Sequence, residues 1–303
     1  MRILITGGSG FIGKKLLNRL LKEGHIVYTI DKNKLNTDDS PGHFTLDISD
    51  KNFIEKLNRL YHLPNLKIDH IYHVAAQSGG YYSLKDPYTD CKWNCLGTVN
   101  ILKLAQKLKV KKITYISSMA VYGNESNTKE NNKINPISFY GVSKYAGELY
   151  TKLAFEHSNI PYTIFRLFAT YGSGQDLNNK HQGVLSIYLD QALNSNRVKI
   201  TGSKHRVREL VHVNDVVDAL VMSLNKNTDN QVFNVSNSEY LTPEIIIDKI
   251  GEAMKKYIGI TEIDGYVGDQ TYITSNMSKL SGLGWFPKYN LIEGIKEFLK
   301  NLK

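Results

Sequence analysis

Between Ile5 and Lys14 the chain reads Thr6-Gly7-Gly8-Ser9-Gly10-Phe11-Ile12-Gly13, and few folds have a use for four glycines set so closely. Ile3, Leu4 and Ile5 before them form a short apolar run that predicts a strand buried on both faces. Glycine alone lets the backbone turn this tightly and come close to a ligand. From Phe11 onward, apolar residues at Phe11, Ile12, Leu16, Leu17, Leu20 and Leu21 make one helical stripe. Strand, glycine turn and helix start bring free backbone N–H groups and the positive end of a helix dipole to one point, which suits a pyrophosphate. The glycines fit Gly8-x-Gly10-x-x-Gly13 or Gly7-x-x-Gly10-x-x-Gly13, both in the context that dinucleotide binding requires. A second strand, His25 to Ile30, ends at Asp31, near the distance at which an acid grips a ribose 2′-hydroxyl. A carboxylate there repels a 2′-phosphate and favours NAD over NADP, while Lys32 beside it pulls the other way.

The 303 residues suffice for one large core, or for a core with a smaller lobe. With 41% hydrophobic and 22% charged residues the composition is that of a soluble globular protein. No apolar run approaches the ~20 residues needed to span a bilayer. The chain opens directly on its first strand, which leaves no room for a signal peptide and predicts a cytoplasmic protein. Cys91 and Cys95 share a helical face in CKWNC, but no second Cys or His pair follows at ligand spacing, so no metal site is expected. The net charge of +9 is scattered along helices and loops, which reads as a solvated surface and not as a nucleic-acid footprint.

Strands and helices alternate through the first half. After a polar loop, His43–Leu46 is a third strand running into Asp47-Ile48, and Asn52–Leu60 has helical spacing. Asp69–Ala76 is a fourth strand, Tyr88–Lys109 a long helix, Lys112–Ser118 a fifth strand. A helix from about Tyr140 to His157 precedes a sixth strand, Tyr162–Phe168. This alternation predicts an α/β fold, a doubly wound parallel (Rossmann) sheet. The pattern loosens after Gly172, so residues 1–171 are expected to form the dinucleotide-binding domain and 172–303 a smaller mixed α/β substrate-binding lobe. A segment near 210–236 is expected to return to the first domain through the strand Gln231–Val235.

Ligands of such sheets lie beyond the carboxyl ends of the strands. Ala75-Ala76-Gln77, the stretch ending at Ser118, and the start of the helix at Tyr140 all arrive there. Tyr140 and Lys144 are one helical turn apart and share a face. A free phenol titrates near ~10, and a neighbouring ammonium favours the phenolate, bringing it toward use as a base. Ser118 stands where its hydroxyl could bind the same substrate oxygen.

These stretches together resemble the extended short-chain dehydrogenase/reductase family, the NAD-dependent epimerases and dehydratases that act on nucleotide sugars. The resemblance covers nearly the whole chain and is carried by TGGSGFIG, Asp31, Asp47-Ile48, HVAAQS, Asn94-x-x-Gly97-Thr98, ISSMAVYG, YGVSK, FRLFATYG, RELVHVND and SKLSGLGW. It implies that Gly7, Gly10, Phe11, Ile12 and Gly13 hold the pyrophosphate of NAD, and that Asp31 holds the adenosine ribose. Asp47 and Ile48 would flank the adenine, Ala75, Ala76 and Gln77 would line the cofactor groove, and Asn94 would brace neighbouring strands. Tyr140 would be the base, Lys144 its modulator and a cofactor ligand, and Ser118 the hydroxyl that orients the substrate. Arg208 would meet the diphosphate of the nucleotide sugar with Gln182 nearby, and helices around Asn94 and Tyr140 would pair in a homodimer.

Three departures from the family pattern bear on the reaction. Met119 and Ala120 stand where dehydratases carry an acid, and neither can move a proton. Ala169 replaces an asparagine usual near the sugar-nucleotide phosphates, and Tyr266 replaces an arginine that commonly clamps the diphosphate; together these open the substrate class or imply a rearranged pocket. The leading expectation is an NAD-dependent nucleotide-sugar epimerase acting at C4 through a 4-keto intermediate. The same residues would serve a reductase of a nucleotide 4-keto-6-deoxy sugar. A non-catalytic NAD-binding relative is a third reading, against which the intact Ser118, Tyr140 and Lys144 argue.

Overall fold

A computed structural model describes residues 1–35, 42–61, 66–180, 183–265 and 267–302. The chain begins β1 (Arg2–Thr6), α1 (Phe11–Lys22), β2 (Ile26–Asp31), β3 (Gly42–Thr45), α2 (Phe53–Tyr61) and β4 (His70–His73). A broken helix follows: α3 (Gly80–Lys85), α4 (Pro87–Cys91), a π-helical turn (Lys92–Leu96) and α5 (Gly97–Leu108). Next come β5 (Lys112–Ser118), a 3₁₀ turn (Met119–Val121), β6 (Glu125–Thr128), α6 (Phe139–Ser158) and β7 (Tyr162–Leu167). The remainder is β8 (Ala169–Tyr171), α7 (Val184–Asn194), β9 (Arg197–Thr201), β10 (Leu210–His212), α8 (Val213–Met222), β11 (Gln231–Val235), α9 (Pro243–Met254), β12 (Gly259–Ile263), β13 (Ile273–Ser275), α10 (Ser278–Ser281) and α11 (Leu291–Lys300).

Seven strands form one parallel sheet in the order β3-β2-β1-β4-β5-β7-β11, so the winding direction reverses between β1 and β4. Every residue of β4, β5 and β7 is buried, including the polar residues Thr114, Thr163 and Arg166, so these strands are enclosed on both faces. Alternate residues serve opposite faces. Ile3 and Ile5 join Leu16, Leu17 and Leu20 of α1 and Val216 and Leu220 of α8, whereas Leu4 joins Phe53 and Leu57 of α2 and Ile101 and Leu104 of α5. Helices therefore cover both sides, as a doubly wound sheet requires.

A separate core of Leu185, Leu189, Val198, Ile200, Leu210, Ile246, Ile250, Ile295 and Phe298 lies among α7, β9, β10, α9 and α11. Three small parallel pairings accompany it: β8 with β10, β9 with β12, and β6 with β13. β11 leaves this region and pairs with β7 as the outermost strand of the main sheet.

Local differences from the sequence reading have identifiable causes. The long helix predicted over Tyr88–Lys109 is interrupted by the π turn at 92–96, whose buried Asn94 bonds the Gln77 backbone just beyond β4. The short strands β6, β12 and β13 escaped notice because segments such as Glu125–Thr128 are polar and exposed and owe their conformation to a distant partner.

Candidate functional site

The glycine turn sits at the carboxyl end of β1, where the winding reverses. Gly7 has φ +75°, donates to the Ile30 carbonyl at 2.8 Å, and accepts from the Gly10 N–H at 3.0 Å. A Cβ at Gly7 would lie 2.8 Å from the Ala75 nitrogen, and one at Gly13 only 2.0 Å from the Gly7 oxygen, so both positions are closed to other side chains. α1 starts at Phe11 behind the N-cap Gly10, with no side-chain cap and no acid in its first turn. Among the described residues no side chain caps its leading N–H groups, which is the condition for holding a pyrophosphate. Asp31 is fixed at the end of β2, its carboxylate accepting from the Ser9 N–H at 3.0 Å and the Asn33 N–H at 2.9 Å.

Asp47 accepts from the backbone and hydroxyl of Ser49 at 2.9 and 2.7 Å. Ile48 is wedged against α5: a Cβ at Gly97 would come within 2.9 Å of its Cδ1, and Asn100 donates to its carbonyl at 2.7 Å. Beyond β4 the Ala75 N–H donates to Thr6 Oγ1 at 3.1 Å, while Ala76 is exposed. The Gln77 side chain donates to the Ser78 carbonyl at 3.0 Å, and its buried Oε1 meets no donor among the described residues. An open helix N-terminus, a glycine cradle and an acceptor awaiting a donor line one groove, and these residues fit a dinucleotide.

Asn94 ties the groove together. Its Oδ1 accepts from the Gln77 N–H at 2.8 Å, and its Nδ2 donates to the Gln77 carbonyl at 3.1 Å and to Ser143 Oγ on α6 at 2.9 Å. A second brace escaped the sequence reading. His73 is enclosed between Thr6 Oγ1 at 2.8 Å and Thr98 Oγ1 at 3.0 Å, and Thr98 donates in turn to the Asn94 carbonyl at 2.6 Å. The only hint of this was a histidine inside an apolar strand.

Ser118 ends β5, and Ser138 caps α6 by accepting from the Gly141 N–H at 3.1 Å, which places Tyr140 in the first turn. The Ser118 side chain is close enough to the Tyr140 phenol to lower its pKa, but burial pushes that phenol up to about 12, with Asp90 adding to the rise. Lys144, one turn further, is only 3% exposed, and burial pushes its ammonium down to about 8 against the pull of Asp90 and Glu148. Its Nζ lies 4.5 Å from the centroid of the Tyr115 ring. The sequence reading expected the Lys144 ammonium to acidify the phenol. In the structure the group that lowers the phenol is Ser118, and desolvation outweighs it.

Behind this corner lies a buried network that sequence reasoning missed. Glu148 on α6 accepts from Ser117 Oγ at 2.6 Å and from Arg166 Nε and Nη2 at 2.8 and 2.7 Å. Arg166 Nη1 donates to the Tyr122 hydroxyl at 2.8 Å, which donates to Asn234 Oδ1 at 2.7 Å. Strands β5, β7 and β11 and helix α6 are thereby locked directly behind Ser118.

Just before β10, Arg208 is buried and donates to Asp269 Oδ1 at 3.0 Å, while Arg206 donates to the other oxygen of the same carboxylate at 2.6 Å. The adjoining Gln270 donates to the Gly123 carbonyl, so this cluster abuts the segment that follows Ser118. Ala169 opens β8, its N–H donating to the Glu209 carbonyl at 3.2 Å. Gln182 and Tyr266 lie outside the described residues. Among the described residues no helix is long and apolar enough to cross a membrane.

Comparison with known proteins agrees with this geometry. The chain is 31% identical over 319 residues to a UDP-glucose 4-epimerase of Mycolicibacterium smegmatis, covering 99% of each chain. The structure superposes on the UDP-glucose 4-epimerase of Thermotoga maritima solved with UDP-glucose, with a TM-score of 0.92 and 29% identity over 100% of this chain and 98% of that one. The UDP-glucose 4-epimerase of Thermus thermophilus in complex with NAD gives a TM-score of 0.89 at 28% identity, covering 99% of this chain and 98% of that one. Residues 3–236 match the NAD dependent epimerase/dehydratase family, and the chain belongs to that family.

Proposed function

We propose that this chain is an NAD-dependent epimerase of a nucleotide sugar, acting at C4 through a 4-keto intermediate. The observation that carries the reading is the meeting of Ser118, at the carboxyl end of β5, with Tyr140 and Lys144 in the first turns of α6, at the same end of the sheet as the glycine turn. The pyrophosphate falls to Gly7, Gly10, Phe11, Ile12 and Gly13, the adenosine to Asp31, Asp47 and Ile48, and the groove wall to Ala75, Ala76 and Gln77, with Asn94 as brace. When bound, NAD supplies a hydride acceptor that can return hydride to the other face of the sugar. Tyr140 accepts the hydroxyl proton and later gives it back, Ser118 orients the same oxygen, and Lys144 provides the positive charge that stabilises the phenolate. By sequence Arg208 and Gln182 are assigned to the nucleotide sugar, Arg208 being held by Asp269. Met119 and Ala120 follow Ser118 with no acid, which supports epimerisation over dehydration.

Residues 1–171 with the returning segment 210–236 form the NAD-binding part in this reading, and the rest of 172–303 forms the substrate lobe. The partner is a second copy of the chain. Phe139, Val142, Leu149 and Leu153 expose an apolar stripe along α6, with exposed Leu84 and Leu96 on α3 and the π turn. A dimer by sedimentation, and a monomer on Leu149→Glu with Leu153→Glu, is the expected behaviour; a wild-type monomer would contradict it.

Cofactor behaviour tests the main reading. The purified protein should retain NAD and convert a substrate from a panel of UDP-, dTDP-, GDP- and CDP-sugars with none added. Oxidation of added NADH or NADPH against a 4-keto-6-deoxy sugar, with no epimerisation, would establish the reductase instead.

A further inference from the structure

Asp31 and Lys32 are adjacent and send opposite signals: a carboxylate suits a ribose 2′-hydroxyl, and an ammonium suits a 2′-phosphate. The structure separates them. The Asp31 carboxylate is fixed toward the glycine turn by the Ser9 and Asn33 N–H groups at 3.0 and 2.9 Å. The Lys32 ammonium lies elsewhere, 3.5 Å from the centroid of the Trp93 ring. Lysine is a point charge on a flexible stem, free to reach in several directions unless something holds it. An indole face is the strongest of the aromatic partners that can do so.

Trp93 belongs to the same end of the groove. It is carried by the π turn, directly before Asn94, whose side chain holds the Gln77 backbone. The turn runs into Gly97, packed on Ile48, so the end of β2, the Asp47-Ile48 segment and the π turn converge. A regular helix over residues 88–109 would give Trp93 a different heading, because a π turn adds a residue and changes the rotation of the side chains around it.

We propose that Trp93 withholds Lys32 from the ribose 2′ position, and that this pair, together with Asp31, sets the preference for NAD over NADP. The proposal rests on the reading of Asp31 as the ribose ligand. A 2′-phosphate would have to draw Lys32 off the ring before using it, and at a partly exposed site such a contact is worth a few-fold in a binding constant. Removing the ring frees the ammonium for the phosphate.

The test is displacement of bound NADH, followed by its fluorescence, with NAD and with NADP as competitors. Wild type, Trp93→Leu, Lys32→Met and the double variant form the cycle, with Trp93→Phe as a variant that keeps an aromatic face. Trp93→Leu should bring NADP affinity about fivefold closer to that of NAD, Trp93→Phe by less, and the double variant should match Lys32→Met. An unchanged ratio in Trp93→Leu, or an equal change on the Lys32→Met background, overturns the proposal while leaving Asp31 as ribose ligand intact. If Trp93→Leu fails to fold, a Lys32→Met protein whose NADP affinity falls by about fivefold or more overturns it, and one with nearly unchanged NADP affinity supports it. A wild type that binds NADP as tightly as NAD contradicts the Asp31 reading and the proposal with it.

Discussion

The hydroxyl of Ser118, at the carboxyl end of β5, stands close enough to the phenol of Tyr140, in the first turn of α6, to lower its pKa. In the proposed reaction this pairing sets a proton acceptor and an orienting hydroxyl on one substrate oxygen. Tyr140→Phe should therefore lower kcat by about 10²–10⁴-fold, the usual worth of a positioned acid–base group, and Ser118→Ala by about 10²-fold. Neither should change the NAD content of the purified protein. Steady-state kinetics with NAD quantitation checks both.

Lys144 should show the opposed demands of stability and function. Burial drives its ammonium down to about 8 from an ordinary 10.5, so the native chain resists the charge that the unfolded chain carries freely. Below pH 8 both forms hold the proton and the native state bears the penalty. Between pH 8 and 10.5 the unfolded chain binds more protons, so stability rises with pH. Lys144→Met should stabilise the protein at pH 7 by up to about 3 kcal/mol while abolishing turnover. Urea unfolding without added cofactor, alongside an activity assay, measures the two effects.

Two buried histidines should dominate the acid side. His70, beside Thr114 Oγ1 at 2.8 Å, and His73 are both pushed down to about 3 by burial, and so remain neutral in the native state. As pH falls through about 6.5 only the unfolded chain takes up these protons, so stability drops toward pH 3 by about 1.4 kcal/mol per unit for each residue. Burial raises Asp90, Glu209 and Asp215, which act in the opposite direction nearer the carboxylate range. Comparing urea melts at pH 7, 6 and 5 for wild type and His70→Gln isolates the histidine contribution; the variant should show the shallower slope.

The Glu148–Arg166 pair should tolerate removal of neither partner alone. Both side chains are at most 2% exposed. Glu148→Gln or Arg166→Met leaves an uncompensated buried charge, and each should cost about 3–5 kcal/mol in chemical denaturation.

How much was legible in the sequence depended on whether the signal was local. The turn from Thr6 to Gly13 announced itself because its geometry excludes side chains at particular positions, and that exclusion is written as glycine. Ser118, Tyr140 and Lys144 were legible because strand-to-helix order puts them at one end of the sheet. The brace through His73 and the network through Glu148 and Arg166 were not, since each joins residues far apart in the chain and nothing in local spacing marks the partners. The break in the long helix was hidden for a similar reason: KWNCL has ordinary helical composition, and only the contacts of Asn94 account for its wider turn. The burial that opposes both the phenolate of Tyr140 and the ammonium of Lys144 was not legible either, since no spacing rule reveals it.

The most direct measurement uses UDP-glucose deuterated at C4, followed by NMR with the purified protein and no added cofactor. A new set of anomeric signals from the C4 epimer, with deuterium kept at C4 and no free NADH released, is the result expected of hydride leaving and returning within one closed site. Epimer formed with loss of deuterium to water, or no epimer from any nucleotide sugar deuterated in the same way, would contradict it.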